Sequence, residues 1–299
     1  MRWKGRRGSS NIDDRRSSGE ARRQMRILHG RGVKTGGSIG LTGLVVVLFV
    51  SWVAGINPLS LLGSLDGSSF EVGPTYDTSV PSSSESDETA AFVSVILADT
   101  EDTWNHILAQ HSVNYPEPTL VLFSDSVSSA CGHASSATGP FYCGADQKIY
   151  IDLSFYRQLA GQLNAPGDFA QAYVLAHEVG HHLQNLLGVL PEYQKVRRTL
   201  SKAEGNALSV RVELQADCYA GIWAHYAARQ RGFIEDGDIE EALNAASRIG
   251  DDTLQREAQG YVVPESFNHG TSAQRASWFR QGFQSGDMTA CDTFSAAQL

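Results

Sequence analysis

The chain has 299 residues, 41% of them hydrophobic, and a net charge of −9. That is room for one substantial core or two small ones, and nothing in it forbids an enzyme. The charge is uneven: residues 1–35 carry eleven Lys or Arg against Asp13, Asp14 and Glu20, a net +8, which leaves −17 for the remainder. So acidic a remainder gives DNA no cradle, and the basic arm lacks a folding pattern and aromatic residues beyond Trp3, so nucleic acid is not an expected partner.

After the basic arm (1–35), Ile39 to Ile56 reads IGLTGLVVVLFVSWVAGI without a charge. That is about the shortest stretch able to span the hydrocarbon of a bilayer, and it predicts one transmembrane helix within 36–57. The Lys/Arg excess lies on its N-terminal side, so the positive-inside rule places the arm in the cytoplasm and the C-terminal part outside, as a single-pass anchor. A cleaved signal peptide fits less well, because the basic region is long and no clear Ala-x-Ala site follows Ile56. Residues 58–89, rich in Ser and acid (SVPSSSESDET), bury too little to fold alone and read as a flexible tether.

A globular domain is expected over 90–299. Phe92, Val95, Ile96, Trp104, Ile107 and Leu108 recur at helical spacing and predict a helix over 90–111. The β-rich runs TLVLF (119–123) and KIYIDL (148–153) predict a small antiparallel sheet, with KIYIDL as the edge that would receive an extended substrate and with Tyr150 and Asp152 on it. Helices follow at 168–187, with Asp168 as cap and Gly188 as stop, and at 206–231, 238–249 and 272–284, the last capped by Thr271 or Ser272. The class is α+β, a small sheet followed by a helical bundle. Cys131, Cys143, Cys218 and Cys291 all fall in the part expected outside, where disulfides persist. Cys131 with Cys143 is the natural pairing across a Gly/Ser-rich loop, although four cysteines allow three connectivities.

The chemistry concentrates in His177-Glu178-Val179-Gly180-His181. On a helix, i and i+4 share a face, so the two imidazoles converge as nitrogen ligands of Zn²⁺ require. Glu178 is displaced around the helix, where it can address a metal-bound water rather than the metal. Gly180 costs about 1 kcal/mol against alanine in a helix, which makes sense if another backbone packs closely there. A catalytic zinc needs a third protein ligand, and Gln184 and Leu187 stand where a metzincin would have Gly and His. Glu213 is the better candidate, with Asp217 one turn later to accept the other N–H of a ligating histidine. The alternative, two solvated acids, sits poorly on so apolar a helix. His269, with Arg275, could serve the oxyanion as a catalytic group or form a structural ion pair; both stay open. His182 suits a supporting or surface role, His225 a packed core position, and His106, His111 and His133 carry no pattern.

His177-Glu178-x-x-His181 followed by Glu213-x-x-x-Asp217 resembles the gluzincin arrangement of thermolysin-like peptidases, here with 31 residues between His181 and Glu213. The opening Met1-Arg-Trp-Lys-Gly-Arg-Arg, Asn11-Ile-Asp-Asp-Arg-Arg, the apolar segment and Ala176-His-Glu-Val-Gly-His-His-Leu-Gln184 are similar, nearly end to end, to a bacterial family of neutral zinc metallopeptidases. The resemblance implies a zincin-like domain tethered to the inner membrane, with Zn²⁺ as cofactor and peptides as substrates, hydrolysed outside that membrane. A catalytically silent, zinc-stabilised interaction or chaperone-like protein is the alternative.

Overall fold

The structure, a computed structural model, describes residues 1–16 and 83–299, which belong to one compact unit. Five strands of this unit are built early: β2 (Thr119–Phe123), β3 (Ser126–Ser129), β4 (Gly132–Ser135), β5 (Phe141–Cys143) and β6 (Lys148–Asp152). They join β1 (Ile12–Asp14), and the main sheet runs in the order β1-β2-β6-β5, with β3 and β4 forming a separate hairpin. The β-rich runs do pair, but not as the antiparallel sheet expected. Thr119 lies opposite Lys148 and Phe123 opposite Asp152, so β2 and β6 are parallel; only β5 against β6 is antiparallel. The long intervening segment allows this, because it makes a hairpin and an extra strand before β6 begins, which a tight turn would not. KIYIDL is therefore an interior strand, paired on both sides, and the free edge beyond it is β5.

Eight α-helices complete the described residues: α1 (Ser83–Gln110), α2 (Ser154–Gly161), α3 (Asp168–Leu186), α4 (Val189–Arg197), α5 (Lys202–Arg229), α6 (Asp238–Arg248), α7 (Asp251–Gln259) and α8 (Ser272–Ser285). α1 begins within the expected tether. Gly188 ends α3 in the left-handed conformation (φ 82°), but the chain turns at once into α4. Ser201 starts α5 with a capping box to Glu204, and Thr271 caps α8 by accepting from the Gln274 N–H. Asp168 caps nothing through its side chain; Gly167 holds the cap position and the Asp168 carboxylate faces the Met1 ammonium at 3.2 Å.

α3, α5 and α8 pack as the centre of the bundle. A Cβ on Gly180 would stand 2.9 Å from the Ala216 carbonyl oxygen, so glycine there is what lets α3 and α5 approach. Gly221 and Gly282 do the same reciprocally for α5 and α8: a methyl on either would collide with the backbone of the other helix. Both disulfides form, Cys131–Cys143 and Cys218–Cys291.

The first sixteen residues are not an arm apart from the domain. β1 pairs in parallel with β2, Ile12 opposite Leu120 and Asp14 opposite Leu122. Trp3 meets Phe92 edge-on, and the buried carboxylate of Glu101 accepts from Ser9 and from Asn11 at 2.9 Å. β1 therefore lies in the same sheet as β2, and residues 1–16 belong to the domain. No helix among the described residues is long and apolar enough to cross a membrane; the apolar run 39–56 lies outside the described residues.

Candidate metal centre

The site lies where the middle of α3 crosses α5. His177, Glu178 and His181 project from α3, and Glu213 and Asp217 from the facing turns of α5. The ligand atoms of His177, His181 and Glu213 all lie within 4.8 Å of one another. Glu213 Oε2 is 3.2 Å from His177 Nε2 and 3.6 Å from His181 Nε2, so two imidazole nitrogens and one carboxylate converge on a single point.

What fixes them is a set of buried acceptors. His177 Nδ1 faces Asp217 Oδ1 at 2.7 Å, and His181 Nδ1 faces Gln184 Oε1 at 2.8 Å. Neither acceptor oxygen carries a proton to give, so each Nδ1 bears a hydrogen and each Nε2 is the nitrogen turned inward, the one available to a metal. The arrangement fits the two-His, one-carboxylate set of a catalytic zinc with a position left open. Glu178 lines the same cleft, 7% exposed, and among the described residues no group donates a hydrogen bond to its carboxylate. Burial raises its pKa, against the opposing pull of His181 and His177, which suits a group that takes up a proton.

Asp217 is wholly buried and fourfold partnered. Besides His177 it accepts from Tyr173 Oη at 2.6 Å, Arg275 Nε at 2.9 Å and Arg275 Nη2 at 3.0 Å. Burial alone would raise its pKa; Arg275 and His177 outweigh that and hold it at about 2. With no metal, burial lowers the pKa of His177 but Asp217 and Glu213 prevail and raise it to about 10.

Arg275 is thus committed to Asp217, and its Nη1 donates to the Ile249 carbonyl. It is not a partner of His269 on an oxyanion, nor an ion-pair partner of His269. His269 has its own acid: Nδ1 lies 3.1 Å from Asp251 Oδ1, while Asp251 Oδ2 accepts the backbone N–H groups of Asn268, His269 and Gly270. Its half-exposed ring lines the same cleft as His177, Glu178 and His181.

The cleft measures about 580 Å³. One wall is β5 and its approach, Gly139 to Tyr142, with Phe155; across it lie Leu190 and Tyr193 of α4, and Leu254 of α7. His182 is no ligand: it is fully buried, with Nδ1 on Tyr142 Oη at 3.0 Å and Nε2 on the Pro116 carbonyl at 2.7 Å, and it ties edge strand β5 to α3. His225 is half-buried and bonds the Phe283 carbonyl at 2.7 Å, where α5 meets α8. Tyr150 donates to Asp146, and Asp152 accepts from the backbone N–H groups of Asp125 and Ser154, so both are structural. Sequence reasoning missed Gln184, Tyr173 and Asp251. Gln184, three residues past His181, was legible as a same-face neighbour; the other two depend on tertiary crossings that no local spacing records.

A His-His-Glu cluster beside a second buried glutamate in an open cleft can hold a divalent metal and act on a water bound to it. Residues 1–294 match the family described as "Putative neutral zinc metallopeptidase", and the chain belongs to that family. The uncharacterized protein YpfJ of Escherichia coli (strain K12) is 50% identical over 298 residues, covering 98% of this chain and 99% of that one. The uncharacterized protein Rv2575 of Mycobacterium tuberculosis (strain ATCC 25618 / H37Rv) is 48% identical over 196 residues, 62% of this chain and 65% of that one. No solved structure matches the chain.

Proposed function

We propose that the protein is a zinc-dependent peptidase in which His177, His181 and Glu213 hold the metal and Glu178 is the general base. The observation that carries this is the shared orientation of the two rings: both Nδ1 atoms are occupied by fixed acceptors, and both Nε2 atoms meet Glu213. Bound there, zinc would supply Lewis acidity to the scissile carbonyl and lower the pKa of a coordinated water toward about 7. Glu178, its pKa raised by burial, is placed to take a proton from the attacking water and would deliver it to the leaving amine. His269, its Nδ1 held by Asp251, lines the same cleft, and its Nε2 would donate to the developing oxyanion. An extended peptide would pair along the free edge of β5 with side chains against Phe141, Phe155 and Leu190. The silent, interaction-only reading is less well supported, because the cleft is open and the base is left without a protein partner.

Glu178→Gln should retain zinc and lose roughly 10²- to 10⁴-fold in kcat on a cleavable peptide. Undiminished turnover would remove Glu178 from this role.

For location, we propose that residues 1–16 and 83–299 lie together outside the cytoplasm. The support is the β1–β2 pairing together with two disulfides. Single cysteines at Lys4 and Lys195, both exposed (75% and 79% by side chain), should react alike with a membrane-impermeant maleimide in intact cells. Labelling of Lys195→Cys alone would overturn this placement in favour of a single crossing.

A further inference from the structure

The two histidines are held by different chemistry. His177 leans on a carboxylate whose charge Arg275 balances, while His181 leans on a neutral amide. Gln184 is fully buried, and its Nε2 donates to the Val212 carbonyl at 2.7 Å and to Gln215 Oε1 at 3.0 Å. Gln215 Nε2 in turn donates to the Cys291 carbonyl at 3.0 Å. Backbone carbonyl oxygens can only accept, so the direction of every bond in this chain is dictated from its far end. Both amides must place N–H toward Val212 and Cys291, which leaves Gln184 Oε1 facing His181 and obliges Nδ1 of that ring to carry the proton. Cys291 closes a 3₁₀ turn, Met288–Cys291, and is bonded through its sulfur to Cys218 on α5. The anchor of the relay is therefore fastened to the helix that also bears Glu213 and Asp217.

We infer that Gln184 and Gln215 are positioning residues for the metal centre, relaying the fixed carbonyl of Cys291 to the tautomer and orientation of His181. The C-terminal turn, remote from the cleft in sequence, thereby takes part in holding zinc. This rests on the metal site proposed above and adds to it a dependence on two amides that touch neither metal nor substrate. The amides also leave the charge of the site alone: Asp217 is offset by Arg275, so Glu213 and Glu178 remain to balance a divalent ion.

Zinc dissociation constants, measured by chelator competition on the full chain, test the relay. Gln184→Met and Gln215→Met keep side-chain bulk and remove the hydrogen bonds. Asn206→Leu removes a comparable amide-to-carbonyl bond, Asn206 to Glu265, on the same helix but outside the relay. Gln184→Met should bind zinc about 10- to 100-fold more weakly, Gln215→Met less severely, and Asn206→Leu like the parent. Parent-like affinity in both Met variants would overturn the relay while leaving the metal site standing, and so would an equal loss in Asn206→Leu. A parent chain that takes up no zinc would overturn the metal site and the relay with it. Should Gln184→Met fail to fold, Gln215→Met, one bond further from the ligand, carries the test.

Discussion

Two buried aspartates each hold a histidine here, and they are satisfied in opposite ways. Asp217 is fully buried between α3, α5 and α8 and is neutralised by the guanidinium of Arg275. Asp251 stands at the first position of α7 and is satisfied by three consecutive backbone N–H groups of the Asn268–Gly270 loop. The first arrangement fixes a ring inside the protein, where a metal ligand must not move. The second fixes a loop and leaves its ring, 49% exposed, at the cleft surface. An acid–histidine pair is thus a rigid clamp or a presented donor according to what else the acid must satisfy.

Breaking the clamp should cost most. Asp217→Ala leaves Arg275 charged and buried without its partner, and should lose roughly 3–5 kcal/mol of stability in chemical denaturation, together with zinc affinity. The same residue sets an acid limit: its pKa is held at about 2 against an ordinary 3.8, so its stabilisation is complete above the ordinary value and lost as pH falls through the folded one. The metal-free protein should therefore lose stability between about pH 4 and pH 2, and Asp217→Asn should flatten that decline. His269→Ala, at the presented ring, should lower kcat about 10²- to 10³-fold with little change in melting temperature; a melting loss without a rate loss would make the ring structural only. Gly180→Ala should destabilise by about 1–3 kcal/mol, because the added methyl meets the Ala216 carbonyl at 2.9 Å. Thr271→Ala, removing the cap of α8 that presents Arg275, should cost about 1 kcal/mol.

Much of the site was legible because it is built on helices. The i, i+4 spacing of His177 and His181 and of Glu213 and Asp217 states a shared face directly, and the glycine at 180 announced the close crossing that brings the two pairs together. The sheet was less legible. TLVLF and KIYIDL read clearly as strands, but their direction depended on the hairpin and β5 between them, whose short polar runs give little periodic signal. The role of residues 1–16 was missed for a physical reason: three residues of β1 carry no strand pattern, and their pairing with β2 is a long-range contact. The positive charge of that segment is partly paired locally, Arg15 with Asp13 and Arg16 with Asp14.

The measurement that bears most directly on the account is the zinc content and zinc X-ray absorption spectrum of the purified full-length protein. One zinc per chain, with two imidazole nitrogens at about 2.0–2.1 Å and oxygen completing the shell, is the expected result. A chain without zinc, or a zinc bound through sulfur, would contradict the centre formed by His177, His181 and Glu213.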